Sequence, residues 1–180
     1  MLIQILISKL KERYKAKQYL KKLLMQNVQL CYPFDIYKKE NLILGKNIYI
    51  GPNPWLILRG KLFIDDGTII GPRIKVHTSN HNYESNMIPY NDEYIIKDVK
   101  IGKNVWIGAD VTLLPGIQIG DGAIVGACTC VTKDVPPYSI IGGNPGRILK
   151  YRNIENYNDC LAKNQIYLEK KFNGETEIND

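Results

Sequence analysis

From Ile101 onward an aliphatic residue returns at every sixth position: Ile101, Ile107, Leu113, Ile119, Val125 and Val131. The next position holds Gly102, Gly108, Leu114, Gly120, Gly126 or Thr132, and the fifth of each hexad holds Val105, Val111, Ile117, Ala123, Thr129 or Val135. A period of six fits neither a helix nor a simple alternating strand, so each unit must join a short strand to a turn. The aliphatic position points into a stack, the small fifth position fits beside it, and glycine opens turn conformations closed to other residues. Units this short bury nothing alone, so the pattern predicts an all-β solenoid of stacked coils.

A rougher array precedes it: Leu44-Gly45, Ile50-Gly51 and Leu56, then a two-residue slip to Ile64-Asp65, Ile70-Gly71 and Val76. From Val76 the next inward residue is Ile101, a step of 25 where 6 is expected, so about 19 residues are extruded from the coil. Long excursions from a regular scaffold are where function concentrates. Both histidines of the chain, His77 and His81, lie at the start of this one.

Residues 2–30 have no Gly or Pro, and Leu6, Leu10, Tyr14, Leu20, Leu24 and Val28 recur at roughly helical spacing between lysines. They predict an amphipathic helix that caps the open end of the solenoid. The domain reading is therefore a helical cap over 1–40, the repeat coil with the catalytic site over 41–147 with its loop at about 82–100, and a C-terminal helix and tail over 148–180.

Composition changes this picture in only a few places. The net charge of +6 resides in residues 1–30, where seven basic side chains face Glu12 alone. The remaining chain is neutral, so no basic stripe crosses the coil and nucleic acid is not an expected partner. Cys31, Cys128, Cys130 and Cys160 lack C-x-x-C metal spacing and only two histidines exist to assist them, so reduced thiols and no metal are expected. The apolar run Met1–Ile7 is too short to span a bilayer, has no basic n-region before it and no small-residue cleavage site after it, so the expected location is cytoplasmic. A secondary expectation is weak peripheral attraction of residues 1–30 to an anionic inner membrane face.

The segments Ile101-Gly-Lys-Asn-Val-Trp-Ile-Gly108, Leu114-Pro-Gly-Ile-Gln-Ile-Gly120, Val131-Thr-Lys-Asp-Val-Pro-Pro137 and Gly142-Gly-Asn-Pro-Gly-Arg147 resemble the hexapeptide-repeat acetyltransferases. The nearest branch is the sugar O-acetyltransferases of the galactoside, maltose and exopolysaccharide-biosynthesis type. The resemblance covers about residues 41–150. It implies a left-handed parallel β-helix, a homotrimer with active sites between subunits, and acetyl-CoA as donor. It also implies roles for particular residues. His81 takes the place of the family's catalytic base, which suits an alcohol that must lose a proton as it attacks a thioester. Trp106, Gly108, Ala109, Gly126, Ala127, Thr132 and Lys133 fall where the family lines the CoA groove, and Arg147 and Lys150 where it meets the nucleotide phosphates. Asn53, Asn80, Tyr83 and Asn86 are the polar candidates for the acceptor.

The N-terminal segment with which the galactoside and maltose branch helps to bind its sugar is replaced here by the basic helix. That moves the expected acceptor toward cell-surface polysaccharide or lipid-linked precursors. The competing readings are an N-acetyltransferase acting on an amino sugar, a serine O-acetyltransferase, and a non-catalytic repeat scaffold.

Overall fold

The computed structural model describes Leu23 and residues 25–176. Most of the segment expected as a helix over residues 2–30 lies outside them, and where its end is described Val28–Leu30 is a strand. The chain winds as a parallel β-solenoid with three flat faces, each coil giving one short strand to each face. The first face stacks Val28–Leu30, Ile48–Ile50, Ile69–Ile70, Trp106–Ile107, Ile124–Val125 and Ser139–Gly142. The second stacks Asp35–Tyr37, Trp55–Ile57, Lys75–His77, Thr112–Leu113 and Cys130–Val131. The third stacks Leu42–Leu44, Leu62–Ile64, Val99–Ile101 and Gln118–Ile119.

The hexad explains this shape. Ile101, Ile107, Leu113, Ile119, Val125 and Val131 are all buried, each against its equivalent in the next coil, and the fifth-position residues from Val105 to Val135 are buried at the corners between faces. Each fully buried aliphatic side chain contributes roughly 1.5–3 kcal/mol. Stacked partners such as Trp106 and Ile124 are 18 residues apart, three hexads per coil, whereas Val28 pairs with Ile48 and Leu42 with Leu62 at a spacing of 20. The extra two residues widen one corner of each early coil, which accounts for the slip between Leu56 and Ile64.

Two expected boundaries change. The coil begins at Val28, not near residue 41: Val28 is 7% exposed and Asp35–Tyr37 pairs in parallel with Trp55–Ile57. Leu30, Ile36 and Leu44 repeat the spacing of Ile50, Leu56 and Ile64, and Cys31 in place of the glycine that follows Ile50 and Ile70 masks it in the sequence. At the other end Arg147–Tyr151 is a strand, not the start of a helix. Gly143, at φ +93°, lets the chain reverse, and Arg147–Tyr151 returns antiparallel to Ser139–Gly142. Two short helices follow, α1 (Ile154–Ala162) and α2 (Tyr167–Phe172). Asn153 caps α1 by accepting from Asn156 N at 2.9 Å, and the two helices fold back over the first face, burying Tyr157 and Leu168.

Candidate functional site

The excursion expected at about 82–100 is a β-hairpin. Ser79–His81 pairs antiparallel with Tyr94–Ile96, and the coil resumes at Val99, whose strand pairs with Leu62–Ile64. Its neck is bolted to the coil beneath: the buried Thr78 hydroxyl accepts Gly60 N at 2.8 Å, Lys97 N donates to Thr78 O at 2.9 Å, and Asp98 Oδ1 accepts Lys61 N at 2.7 Å. Short polar side chains turn the tip. Asn82 Oδ1 accepts Glu84 N, Asn91 Oδ1 accepts Glu93 N, and Ser85 Oγ accepts Met87 N, so the chain folds back rather than running out into solvent.

His81 sits at the mouth of this hairpin, directly across from Tyr94. Its ring stacks on Tyr90 at a centroid distance of 3.8 Å and an interplanar angle of 21°, and lies 4.4 Å from the Tyr94 ring at 39°. The Arg59 guanidinium, from the coil corner below, lies 3.6 Å from the Tyr94 centroid. Nδ1 of His81 is buried and makes no hydrogen bond among the described residues. Nε2 is then the nitrogen left to meet an incoming group. His77 lies on the second face, edge-on to Trp55 at 5.6 Å, and burial pushes its imidazole below the usual value.

Of the four acceptor candidates, Asn80, Tyr83 and Asn86 share the hairpin with His81, and Asn80 Oδ1 accepts His81 N at 3.0 Å. Asn53 does not join them: it turns the corner between the first and second faces at φ +59°. Gly108, Ala109, Gly126 and Ala127 stack along that same first-to-second edge, two and three coils further on, as a ridge almost bare of side chains. Arg73 adjoins it, donating to both carboxylate oxygens of Asp110 at 2.8 and 2.6 Å and holding that carboxyl below its ordinary value.

Thr132 and Lys133 lie instead on the second-to-third edge, in line with Thr78 and the hairpin. Trp106 is on the first face, 56% exposed, where with Ile69, Ile124 and Tyr157 it lines a cleft of about 310 Å³ beneath α1 and α2. Arg147 and Lys150 are exposed on the returning strand of that face. One chain therefore brings His81 together with Thr132 and Lys133 on one edge, and leaves Trp106 and the glycine–alanine ridge on other surfaces.

Three residues beside His81 escape the sequence reading: Arg59, Tyr90 and Tyr94. Tyr90 and Tyr94 fall inside the extruded segment, but only the antiparallel register puts them against the imidazole. Among the described residues no three His, Cys, Asp or Glu side chains converge, and no helix is long and apolar enough to cross a membrane.

Residues 98–133 match the model of the bacterial transferase hexapeptide (six repeats) family. A candidate acetyltransferase of Staphylococcus aureus strain Mu50 is 35% identical over 125 residues, 69% of this chain and 62% of that protein. The chain thus spans about 62% of the length of the curated relatives it matches. Among solved structures, a hexapeptide-repeat acetyltransferase of Vibrio cholerae complexed with acetyl-CoA is 27% identical with a TM-score of 0.65, over 76% of this chain and 77% of that one. A maltose O-acetyltransferase from Clostridium difficile 630 is 30% identical with a TM-score of 0.50, over 73% of each chain.

Proposed function

Because the chain belongs to the hexapeptide-repeat transferases, we propose that it moves an acetyl group from acetyl-CoA to a hydroxyl of a sugar, with His81 as general base. The observation that carries this reading is the placement of His81. The single long excursion among the described coils delivers an imidazole to an outer edge, with Nδ1 buried and Nε2 left for an incoming group. Nε2 takes the acceptor's proton as its oxygen attacks the thioester carbon. The tetrahedral intermediate then collapses, the CoA thiolate leaves and is protonated by the imidazolium, and the products are an acetyl ester and free CoA. A positioned base of this kind contributes roughly 10²–10⁴-fold.

The bare ridge of Gly108, Ala109, Gly126 and Ala127 suits an extended pantetheine chain, which needs close approach to backbone and no side chains in its way. Arg147 and Lys150 supply positive charge for the phosphates. The ridge and His81 occupy different edges of the prism, so the complete site forms between the His81 edge of one copy and the ridge of the next, in a homotrimer. The acceptor is a cell-surface polysaccharide or its lipid-linked precursor, and residues 1–30, which carry the chain's net positive charge, add a weak attraction to the anionic membrane where such precursors reside.

The test follows CoA thiol release from acetyl-CoA across a panel of sugars and matched amino sugars. His81→Ala is expected to lower turnover roughly 10²–10⁴-fold while CoA binding persists, and His77→Ala to do far less. Transfer only to amino sugars would overturn the O-acetyl reading, and wild-type turnover in His81→Ala would remove the base.

A further inference from the structure

Histidines that act as bases are ordinarily aimed by a hydrogen bond from the second ring nitrogen to a carboxylate or carbonyl. His81 lacks that device: Nδ1 is buried without a partner among the described residues. Something else must fix the ring plane, because reacting groups misplaced by about 1 Å can lose 10²-fold in rate. What surrounds the ring is a stack. Tyr90 lies 3.8 Å away and nearly parallel, and Tyr94 lies 4.4 Å away. Two tyrosine rings cannot occupy the same side of one imidazole at such distances, so His81 is held between them. Arg59, 3.6 Å from the Tyr94 ring and 5.7 Å from that of Tyr37, packs behind Tyr94 from the coil itself.

We infer that Tyr90 and Tyr94 are positioning residues for His81, with Arg59 as the fixed layer of a four-part stack that aims the imidazole edge at the acceptor hydroxyl. The inference rests on His81 being the base. Each layer has its own support. Tyr94 faces His81 through the strand register, and paired residues on one face of an antiparallel ladder lie close enough for rings to touch. Tyr90 is returned to the ring by the Asn82, Ser85 and Asn91 turns at the hairpin tip. Arg59 belongs to the corner Leu58-Arg59-Gly60-Lys61, and its neighbours Gly60 and Lys61 bond to Thr78 and Asp98 at the two sides of the neck. The stack thus joins the mobile part of a base, its ring torsion, to the rigid coil. It leaves only the ring edge free, so the acceptor oxygen must arrive in the imidazole plane, between the two phenols. An arginine face on a tyrosine ring adds cation–π attraction to this packing.

The test uses the whole protein and two readouts. With only two histidines in the chain, the imidazole proton resonances are assigned by recording His77→Gln beside the wild type. The stack places the His81 ring protons well upfield of those of an exposed histidine, and Tyr90→Leu and Tyr94→Leu return them toward that value. In steady-state transfer, both leucine variants lose roughly 10- to 100-fold in kcat with the KM for acetyl-CoA unchanged. Tyr94→Phe, which keeps the ring, recovers most of the turnover that Tyr94→Leu loses. Random-coil shifts for His81 in the wild type overturn the inference. So does full kcat in both leucine variants where His81→Ala is inactive, an outcome that leaves the base assignment standing. Full turnover in His81→Ala removes the base and this role together.

Discussion

At His77 and Thr129 single side chains carry consequences that can be measured without knowing the acceptor. Burial lowers the pKa of His77 in the folded protein below its unfolded value near 6.5. The unfolded chain therefore binds this proton more readily, and the stability present above about pH 6.5 declines as pH falls toward the folded pKa. Urea unfolding from pH 7.5 to 5 should show a smaller loss for His77→Gln than for wild type; equal losses would mean that the site does not desolvate the ring. Thr129 is fully buried and its hydroxyl makes no hydrogen bond among the described residues. Thr129→Val keeps the shape and removes the polar atom, so it should raise stability by about 1 kcal/mol. A lower midpoint in the same unfolding assay would show that the hydroxyl has a partner. The residue scale is also where the sequence reading is least complete. His81 is legible because it stands at the mouth of the one long interruption of the repeat. Tyr90, Tyr94 and Arg59 are not, since they lie 9, 13 and 22 positions away and share no period with it.

The coil itself was open to reading because its period is short and its packing purely local from turn to turn. Its glycines are not interchangeable with other small residues. A Cβ on Gly108 would stand 2.6 Å from Ala127 N and 2.9 Å from its Cα, both backbone atoms of the next coil. Gly108→Val should therefore destabilise the solenoid by about 2–4 kcal/mol, more than an ordinary surface substitution. Thermal unfolding checks this, and a shift of less than a degree would mean that the coils can separate. The first coil escapes the sequence because the corner after Leu30 carries Cys31 where later coils carry Gly51, Gly71, Gly108 and Gly126. The hairpin was legible as an interruption but not as a hairpin: nothing between Asn82 and Glu93 alternates, and the pairing depends on turns made by side chains.

For the whole molecule the decisive fact is that His81 and the glycine–alanine ridge stand on different edges of the same prism. The proposed sharing of the site between copies makes mixed assemblies informative. Ala127→Trp should fill the ridge and abolish acetyl-CoA use, and His81→Ala should abolish the base, so each homo-oligomer is inactive. Mixed by joint refolding, the two variants should regain activity at roughly a quarter of the sites, those pairing an intact edge with an intact ridge. No recovery beyond the separate variants would place both functions in one chain. Sedimentation of the wild type as a 20.6 kDa species at micromolar concentration would remove the assembly altogether.

The repeat along the chain specifies the solenoid from Leu44 onward, its inward positions there, the place where the coil is interrupted and the histidine delivered there. All of these follow from a repeat read along the chain, in which every residue's environment is set by neighbours six or about twenty positions away. Tertiary structure alone decided which faces those residues occupy. It put Trp106 under α1 and α2, turned Arg147–Tyr151 from helix into an antiparallel strand, and wrapped His81 in aromatic rings. The physical reason is that a periodic pattern fixes what is buried at each step of the winding, whereas these contacts come from segments outside the period, whose partners are chosen only when the chain folds back.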